Sequence, residues 1–453
     1  MAKKATFSSK IGLIAATVGS AVGLGNIWRF PAEAQANGGA AFIVLYILCV
    51  FLLGVPVMIG EFALGRAGRS DAVGAFKNLK AARGWWLVGG MGVLASYLIL
   101  SFYMVVAGWT IEYLWQSITG ALYSPVPGVD SLSGQFSSRM TEYIGGTYRP
   151  LIATFVMIAL NLAILIGGVR KGIERLSNLL MPLLFIILVV FVIVAATLPD
   201  AAAGYRYFLL PDLSAISPSA ALNALGQAFF SLSLGMGILI TYAAYFPKDT
   251  QLGRTAITVS SLDLLVAVMM GLIIFPAITS FGLTSESTRG ATLVFVTLPE
   301  VFASMPASAL WSSLFFLLLS VAALTSTISI AEVSVAFISD RFKTSRLKSC
   351  LIVLLPLFVL SSVCSLSQGQ WSGYTIFGMT IFDFLDNLAT NIMLPLGSLG
   401  LCVYLGWFAP KGMLYDQMSN GGTIRTHTVG LLMFLIKYVA PILIVFVFLS
   451  NFL

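Results

Sequence analysis

Apolar stretches long enough to cross a lipid bilayer recur along almost the whole chain, and nothing else constrains its fold as strongly. Eleven of them fall near residues 11–35, 40–68, 85–117, 150–168, 173–198, 217–246, 254–281, 306–339, 347–366, 374–406 and 428–451. In hydrocarbon every backbone N–H and C=O needs a partner inside the protein, so a spanning chain is helical or a closed barrel. Apolar runs of about 20 residues are helix-sized, whereas barrel strands are about half as long and alternate in polarity. The chain therefore reads as an all-α polytopic membrane protein with eleven transmembrane helices. Its composition, 58% hydrophobic and only 9% charged with a mean hydropathy of +0.96, leaves no room for a large soluble domain. Lys3, Lys4 and Lys10 ahead of residues 11–22 also fit a signal peptide, but no clear cleavage pattern follows and the apolar pattern resumes at once.

The formal net charge of +7 does not point to nucleic acid, because its distribution explains it. With the N-terminus inside, nineteen of the twenty-five Lys and Arg residues lie on the cytoplasmic side. Four (Arg139, Arg149, Arg206 and Arg289) lie on the other, and Arg29 and Lys437 fall within spans. The positive-inside rule then sets the N-terminus in the cytoplasm, and an odd span count puts the C-terminus outside. Cys49, Cys350, Cys364 and Cys402 sit in apolar runs without metal-ligand spacing, and His427 is the only histidine. Zinc sites and His-based catalytic triads are thereby removed. The Gly-x-Gly-Asp signature of an intramembrane aspartyl protease is also absent. The chain is not read as an enzyme.

Within the first span lies Gly19-Ser20-Ala21-Val22-Gly23-Leu24-Gly25-Asn26-Ile27-Trp28-Arg29-Phe30-Pro31. Gly23 and Gly25 let the backbone leave helical geometry, and an opened turn frees carbonyl and N–H groups. Such backbone is tolerated at membrane depth only where it lines protein or a water cavity. The segment predicts a broken helix whose carbonyls hold a cation and whose second half points its positive end at an anion. The sixth span repeats the device with Phe229-Phe230-Ser231-Leu232-Ser233-Leu234-Gly235-Met236-Gly237. Two interrupted spans, five spans apart, predict inverted repeats of five helices each, 1–198 and 199–406, followed by a loop and one extra helix at 407–453.

Other polar groups stand out against the apolar spans. Glu61 near the inner end of the second span is either neutral or bonded to backbone. Tyr103 in the third is either a core aromatic or a site residue. Gly172 and Pro182 make the start of the fifth span easy to unwind, as an ion exit or as a kink without function. Asp263 is a carboxylate in an apolar helix, for which a cation is the natural partner. Thr325 and Ser326, over the Ala322 carbonyl, are either helix glue or oxygen ligands for a small hard cation. Asp383 and Asp386 share one helix face, and Asp386 is a partner for Arg29 across an outer vestibule.

Gly-Asn-Ile-Trp-Arg-Phe-Pro at 25–31, Asn-Gly-Gly at 37–39, Glu61, residues 231–237 and Thr325-Ser326 together resemble the neurotransmitter:sodium symporter family, in its bacterial neutral amino-acid branch. The likeness runs over spans one to ten. It implies a leucine-transporter-like fold of two inverted five-helix repeats plus one helix, working by alternating access. It implies a symporter importing hydrophobic L-amino acids, leucine- to tryptophan-sized, with Na+ at two sites, in the bacterial inner (plasma) membrane. One sodium site would use the Gly19, Val22 and Ala322 carbonyls with the Thr325 and Ser326 hydroxyls. The other would use the Ala21 carbonyl, Asn26, Ser231 and the substrate's carboxylate, with Asp263 where members often have Asn.

By the same resemblance the substrate carboxylate meets the Leu24 and Gly25 N–H groups and the Tyr103 hydroxyl. Its ammonium meets the Ala21, Phe230 and Ser231 carbonyls and the Ser233 hydroxyl. Ile99, Phe230, Met236 and Ile330 shape the side-chain pocket, with Ser326 beside it. Arg29 with Asp386 form the outer gate, and Lys4 with Asp340 the inner one. The sequence departs from the family in two useful places. Gly23 stands where monoamine carriers have Asp, so the substrate must bring its own carboxylate. Met236 replaces a more usual aromatic and makes the pocket pliable. The chloride site of some members lies near Tyr46, Gln227, Ser231 and a serine; Ala267 replaces that serine, and Asp263 one turn earlier supplies fixed negative charge. Chloride is therefore expected not to be required. A passive channel or a non-transporting amino-acid sensor on the same scaffold is the alternative.

Overall fold

A computed structural model describes residues 6–81, 84–283 and 290–450. Among the described residues nine helices are long and apolar enough to cross a bilayer, and one bent pair makes a tenth span. The pair is α1 (Lys10–Ala21) and α2 (Gly25–Ala36), which meet at 56°. The continuous spans that follow are α3 (Ala40–Gly68), α4 (Trp86–Ile118), α5 (Tyr148–Ile166) and α6 (Val169–Ala195). The sixth stretch is two helices, α7 (Pro218–Ser231) and α8 (Ile238–Ala243), each too short to span alone. There follow α9 (Leu252–Phe281), α10 (Ser308–Phe342), α11 (Arg346–Ser367), α12 (Ile381–Phe408) and α13 (Val429–Ser450).

Local sequence explains both breaks. Ser9 starts α1, its hydroxyl accepting from Gly12 N at 2.9 Å, and α1 stops at Val22, where ψ swings to 110°. Between α7 and α8 three residues take left-handed backbone: Ser233 (φ 55°), Gly235 (φ 77°) and Gly237 (φ 72°). At Gly235 a Cβ would stand 2.5 Å from Ser398 Oγ and 2.7 Å from Leu394 O, so glycine is needed there for space as well as for φ.

The broken helices sit at the centre of the bundle. α1 packs on α6, α9 and α10, while α7 and α8 pack on α3. α10 is the most buried span and α13 the least. The chain before α1 is tied down from several sides. Phe7 N donates to Tyr245 O at 3.1 Å, and its ring packs edge-on against Tyr242 and Tyr245. Ser8 and Ser9 donate to the Glu174 carboxylate at the start of α6. Beside them a buried ion pair joins Arg346 to Glu332 at 2.6 Å, and Tyr245 OH donates to the same carboxylate at 2.8 Å.

Two boundaries differ from the sequence reading. The tenth span begins not at 374 but at Ile381, after a two-residue hairpin that pairs Thr375–Ile376 with Met379–Thr380. Phe377 and Gly378, both at positive φ, make its turn. Thr380 then caps α12 by accepting from Asp383 N while donating to that carboxylate at 2.7 Å. Asp383 is thus occupied at a helix start, away from Arg29. At the other end of the bundle, α6 opens with a wide π-type turn over Val169–Glu174 that contains Gly172. A Cβ at Gly172 would lie 2.1 Å from Ile164 O, so here the glycine serves close packing as well as flexibility.

Close backbone approach also fixes α8 against α3. A Cβ at Gly65 would stand 2.1 Å from the Ile240 carbonyl oxygen, and backbone cannot yield as a side chain can. Gly65→Ala is expected to cost on the order of 1–3 kcal/mol of stability by overpacking. Gly90 on α4 has nothing within 4 Å of its Cβ position, so Gly90→Ala should be neutral or slightly stabilising. Thermal denaturation of the purified protein in detergent checks both, and equal melting of the two variants would contradict this account.

Candidate functional site

The opened backbone at residues 22–24 is met from three directions. Tyr103 OH on α4 accepts from Leu24 N at 3.2 Å. Asn26 Oδ1 accepts from Gly23 N at 3.2 Å. Ser326 Oγ on α10 donates toward Val22 O at 3.1 Å and Gly19 O at 3.4 Å. The second break is held in the same way: Glu61 Oε1 accepts from Gly235 N at 2.8 Å. A bond from Ser233 Oγ to Ser20 O at 2.9 Å ties the two broken stretches together.

Two clusters of oxygen atoms flank this region. In one, Gly19 O and Val22 O face Ser326 Oγ, while Thr325 Oγ1 donates to Ala322 O at 3.0 Å. Thr325 packs directly on Gly19, where a Cβ would stand 3.2 Å from the threonine Cβ. In the other, Asp263 is fully buried. Its Oδ2 accepts from Ser231 Oγ at 2.7 Å and from Tyr46 OH at 3.4 Å, and its Oδ1 accepts from Asn26 Nδ2 at 2.9 Å. Asn26 Nδ2 also reaches Ser231 Oγ at 3.0 Å. Gln227 Nε2 donates to Gly25 O at 3.3 Å, and Ala267 is buried nearby without a hydroxyl.

Among the described residues no Lys or Arg pairs with Asp263, and no group of three His, Cys, Asp or Glu side chains could hold a metal ion. A cation in either cluster would be held chiefly by carbonyl, hydroxyl and amide oxygens, with one carboxylate in the second. That donor set suits a hard monovalent ion better than a transition metal.

Between the clusters lies a cavity of about 490 Å³, counting its open mouth. Its walls are Ser20, Ala21, Gly23, Leu24, Gly25, Ile99, Phe102, Tyr103, Phe230, Ser231, Ser233, Met236, Ser326, Ile330, Asp386 and Thr390. The lining combines opened backbone and hydroxyls with aliphatic and aromatic side chains. A second cavity of about 560 Å³ shares Phe230 and Thr390 as walls and has Arg29 on its lining. The Arg29 guanidinium lies over the Phe230 ring, 4.8 Å from its centroid. Arg29 and Asp386 make no direct ion pair; each lines a different one of the two adjoining cavities.

Comparison with known proteins decides what this architecture is. The sequence matches the Sodium:neurotransmitter symporter family over residues 4–125 and 135–453. The chain belongs to the sodium:neurotransmitter symporter family. A sodium-dependent transporter of Bacillus subtilis, YhdH, is 36% identical over 99% of this chain and 98% of its own length. The sodium-dependent dopamine transporter of Bos taurus is 26% identical over 98% of this chain and 68% of its own length. A crystal structure of MhsT in complex with L-phenylalanine superposes with a TM-score of 0.88 at 39% identity, covering 99% of this chain and 100% of that one. The fold is thus that of an all-α symporter of this family, and the chain is a sodium-dependent membrane transporter rather than an enzyme.

Within the symporter, Ala21, Leu24, Gly25, Ile99, Tyr103, Phe230, Ser231, Ser233, Met236, Ser326 and Ile330 all come to the one cavity. Asp340 at the far end of α10 accepts from Asp71 N at 2.9 Å and Ser70 Oγ at 3.2 Å. Its expected partner Lys4 lies outside the described residues. Sequence reasoning did not place Ser20, Phe102 or Thr390 at the site. Thr390 was findable, because it follows Asp386 by one helical turn and donates to the Asp386 carbonyl at 2.7 Å. Tyr46 was noted only beside a chloride position, yet it donates to Asp263.

Membership of a sodium-dependent family gives a direct expectation. In proteoliposomes, replacing external Na+ by N-methylglucamine should abolish uphill substrate accumulation. Accumulation that survives this replacement would remove the ion coupling.

Proposed function

We propose that this transporter imports hydrophobic L-amino acids, aliphatic and aromatic, by alternating access with sodium at two sites. One observation carries the substrate reading: the cavity between the helix breaks is lined both by the opened segment, at Ala21, Gly23, Leu24 and Gly25, and by the apolar side chains of Ile99, Phe102, Phe230, Met236 and Ile330. The start of α2 presents N–H groups and the positive end of a half-helix, which suits a carboxylate. The Ala21, Phe230 and Ser231 carbonyls with the Ser233 hydroxyl suit an ammonium. The relative bound to L-phenylalanine, similar over nearly its full length, supports the same substrate class.

In this reading the first sodium is held by Ala21 O, Asn26, Ser231, Asp263 and the substrate carboxylate. The second is held by Gly19 O, Val22 O, Ala322 O, Thr325 and Ser326. Asp263 supplies the negative charge that chloride supplies elsewhere, so chloride is not required. Arg29 and Asp386 close the outer side over Phe230; Lys4 and Asp340 close the inner side. Residues 1–198 and 199–406 form the inverted repeats and 407–453 an added segment. The protein sits in the bacterial plasma membrane with its N-terminus cytoplasmic and its C-terminus outside, as the distribution of Lys and Arg supports.

Two measurements test this. Tryptophan and leucine should both drive sodium-dependent binding and uptake, equally well in chloride and in gluconate, while tryptamine, which lacks the carboxylate, should bind at least tenfold more weakly. Tryptamine binding as tightly as tryptophan, rejection of every aromatic amino acid, or loss of uptake in gluconate would each contradict a part of the reading. Separately, Thr325→Val with Ser326→Ala removes two of five proposed oxygen ligands and should lower sodium affinity by an order of magnitude or more in a folded protein. An unchanged sodium dependence would show these hydroxyls to be helix glue.

A further inference from the structure

Lys437 is a charged side chain inside a span that the transport site does not use. It stands eight residues into α13, about 12 Å along the helix axis. Its ammonium is caged by two ring faces, 5.4 Å from the Trp407 centroid and 5.3 Å from the Tyr438 centroid. Among the described residues no carboxylate pairs with it. A lysine so placed is costly in hydrocarbon and reaches toward the nearer interface. Aromatic faces attract the cation but do not neutralise it.

Lys437 lines a cleft of about 1050 Å³, counting its open mouth, between the end of α12, the following loop and the start of α13. Packing explains why the cavity exists. At Gly406 a Cβ would stand 3.0 Å from the Lys437 Cα, so α12 and α13 touch there. At Gly430 nothing lies within 4 Å of the Cβ position, so space opens toward the loop. Lys411 lines the same cavity and no Asp or Glu does. The cavity therefore carries two lysine charges against one acid at its edge, Asp416 on the loop helix Met413–Met418. Its Oδ2 lies 3.9 Å from the Cβ position of Gly412, and it also lines the neighbouring pocket with Arg66, Arg69 and Lys248.

We infer that this cleft is a binding site for an anionic phospholipid, its phosphate held by Lys437 and Lys411 and its acyl chains lying along α13. The apolar surface around it supports a lipid over a free anion: Leu431, Phe434, Trp407 and Tyr438 are all about half exposed or more and lie on or beside the span. Trp and Tyr there occupy the belt where head groups meet hydrocarbon. Basic pockets between spans are suited to anionic head groups, whereas a choline head group would bring a third positive charge to two lysines.

The test uses the full-length transporter, delipidated in detergent and examined by native mass spectrometry with dioleoyl phosphatidylglycerol, dioleoyl phosphatidylcholine and inorganic phosphate. Wild type should bind one phosphatidylglycerol at least tenfold more tightly than phosphatidylcholine. Lys437→Gln combined with Lys411→Gln should bring that ratio close to one, while Lys437→Arg should keep it. Lys411→Gln alone, in the loop and outside the span, should lower the ratio at least threefold, and sodium-dependent uptake by that variant reports that it is folded. Equal binding of the two lipids by wild type, or an unchanged ratio in Lys411→Gln, would overturn the proposal. Displacement of phosphatidylglycerol by inorganic phosphate at equal concentration would assign the site to a free anion instead.

Discussion

Backbone opened inside a membrane must find its partners within the protein, and the rest of this structure follows from that requirement. Two helices are broken, at 22–24 and at 232–237. Water cannot satisfy the freed groups as it would at a surface, and each unmet group costs several kcal/mol in hydrocarbon. Neighbouring spans therefore supply Tyr103, Ser326 and Glu61 to specific backbone atoms. The bond from Ser233 to Ser20 O then makes the two broken stretches one unit.

That arrangement also brings ion and solute chemistry onto shared atoms. Ser231 and Ser326 line the central cavity, and each also belongs to one of the two oxygen clusters. A cation that orders those groups lowers the cost of ordering them for a solute, and linkage makes the effect reciprocal. Coupling here needs no long-range relay, because the two ligands would meet at the same short stretch of chain. Asp263 matters in this setting as a buried negative charge whose three protein donors are all neutral.

The surrounding helices hold this centre by close approach rather than by bulk alone. Gly65 lets α3 lie against the Ile240 carbonyl, and Gly235 lets the second break lie against α12. The segment before α1 is fastened by Phe7 among Tyr242, Tyr245 and Phe246, and by Ser8 and Ser9 on Glu174. These fastenings are hydrogen bonds and ring contacts of modest individual strength. They are contacts that can be exchanged without unfolding a span.

The sequence by itself determined the class of fold, most helix limits and the two breaks. These rest on local properties: the length of apolar runs, and glycines clustered where an apolar run should continue as helix. Gly23, Gly25, Gly235 and Gly237 could be read without any neighbour. The motif at 25–31 carried the family, and with it the residues that line the central cavity. Only the tertiary structure decided which atoms meet. The sequence singled out Asp386 but gave Asp383 on the same face no role, and the hairpin that shifts the start of α12 makes Asp383 the helix-start partner of Thr380. Tyr46 reaches Asp263 across 217 positions of chain, and Lys437 gains its aromatic cage only when α12 and α13 pack at Gly406. A side chain's partner across the bundle depends on helix rotation and on distances of a few ångströms, and periodicity along one helix does not encode either.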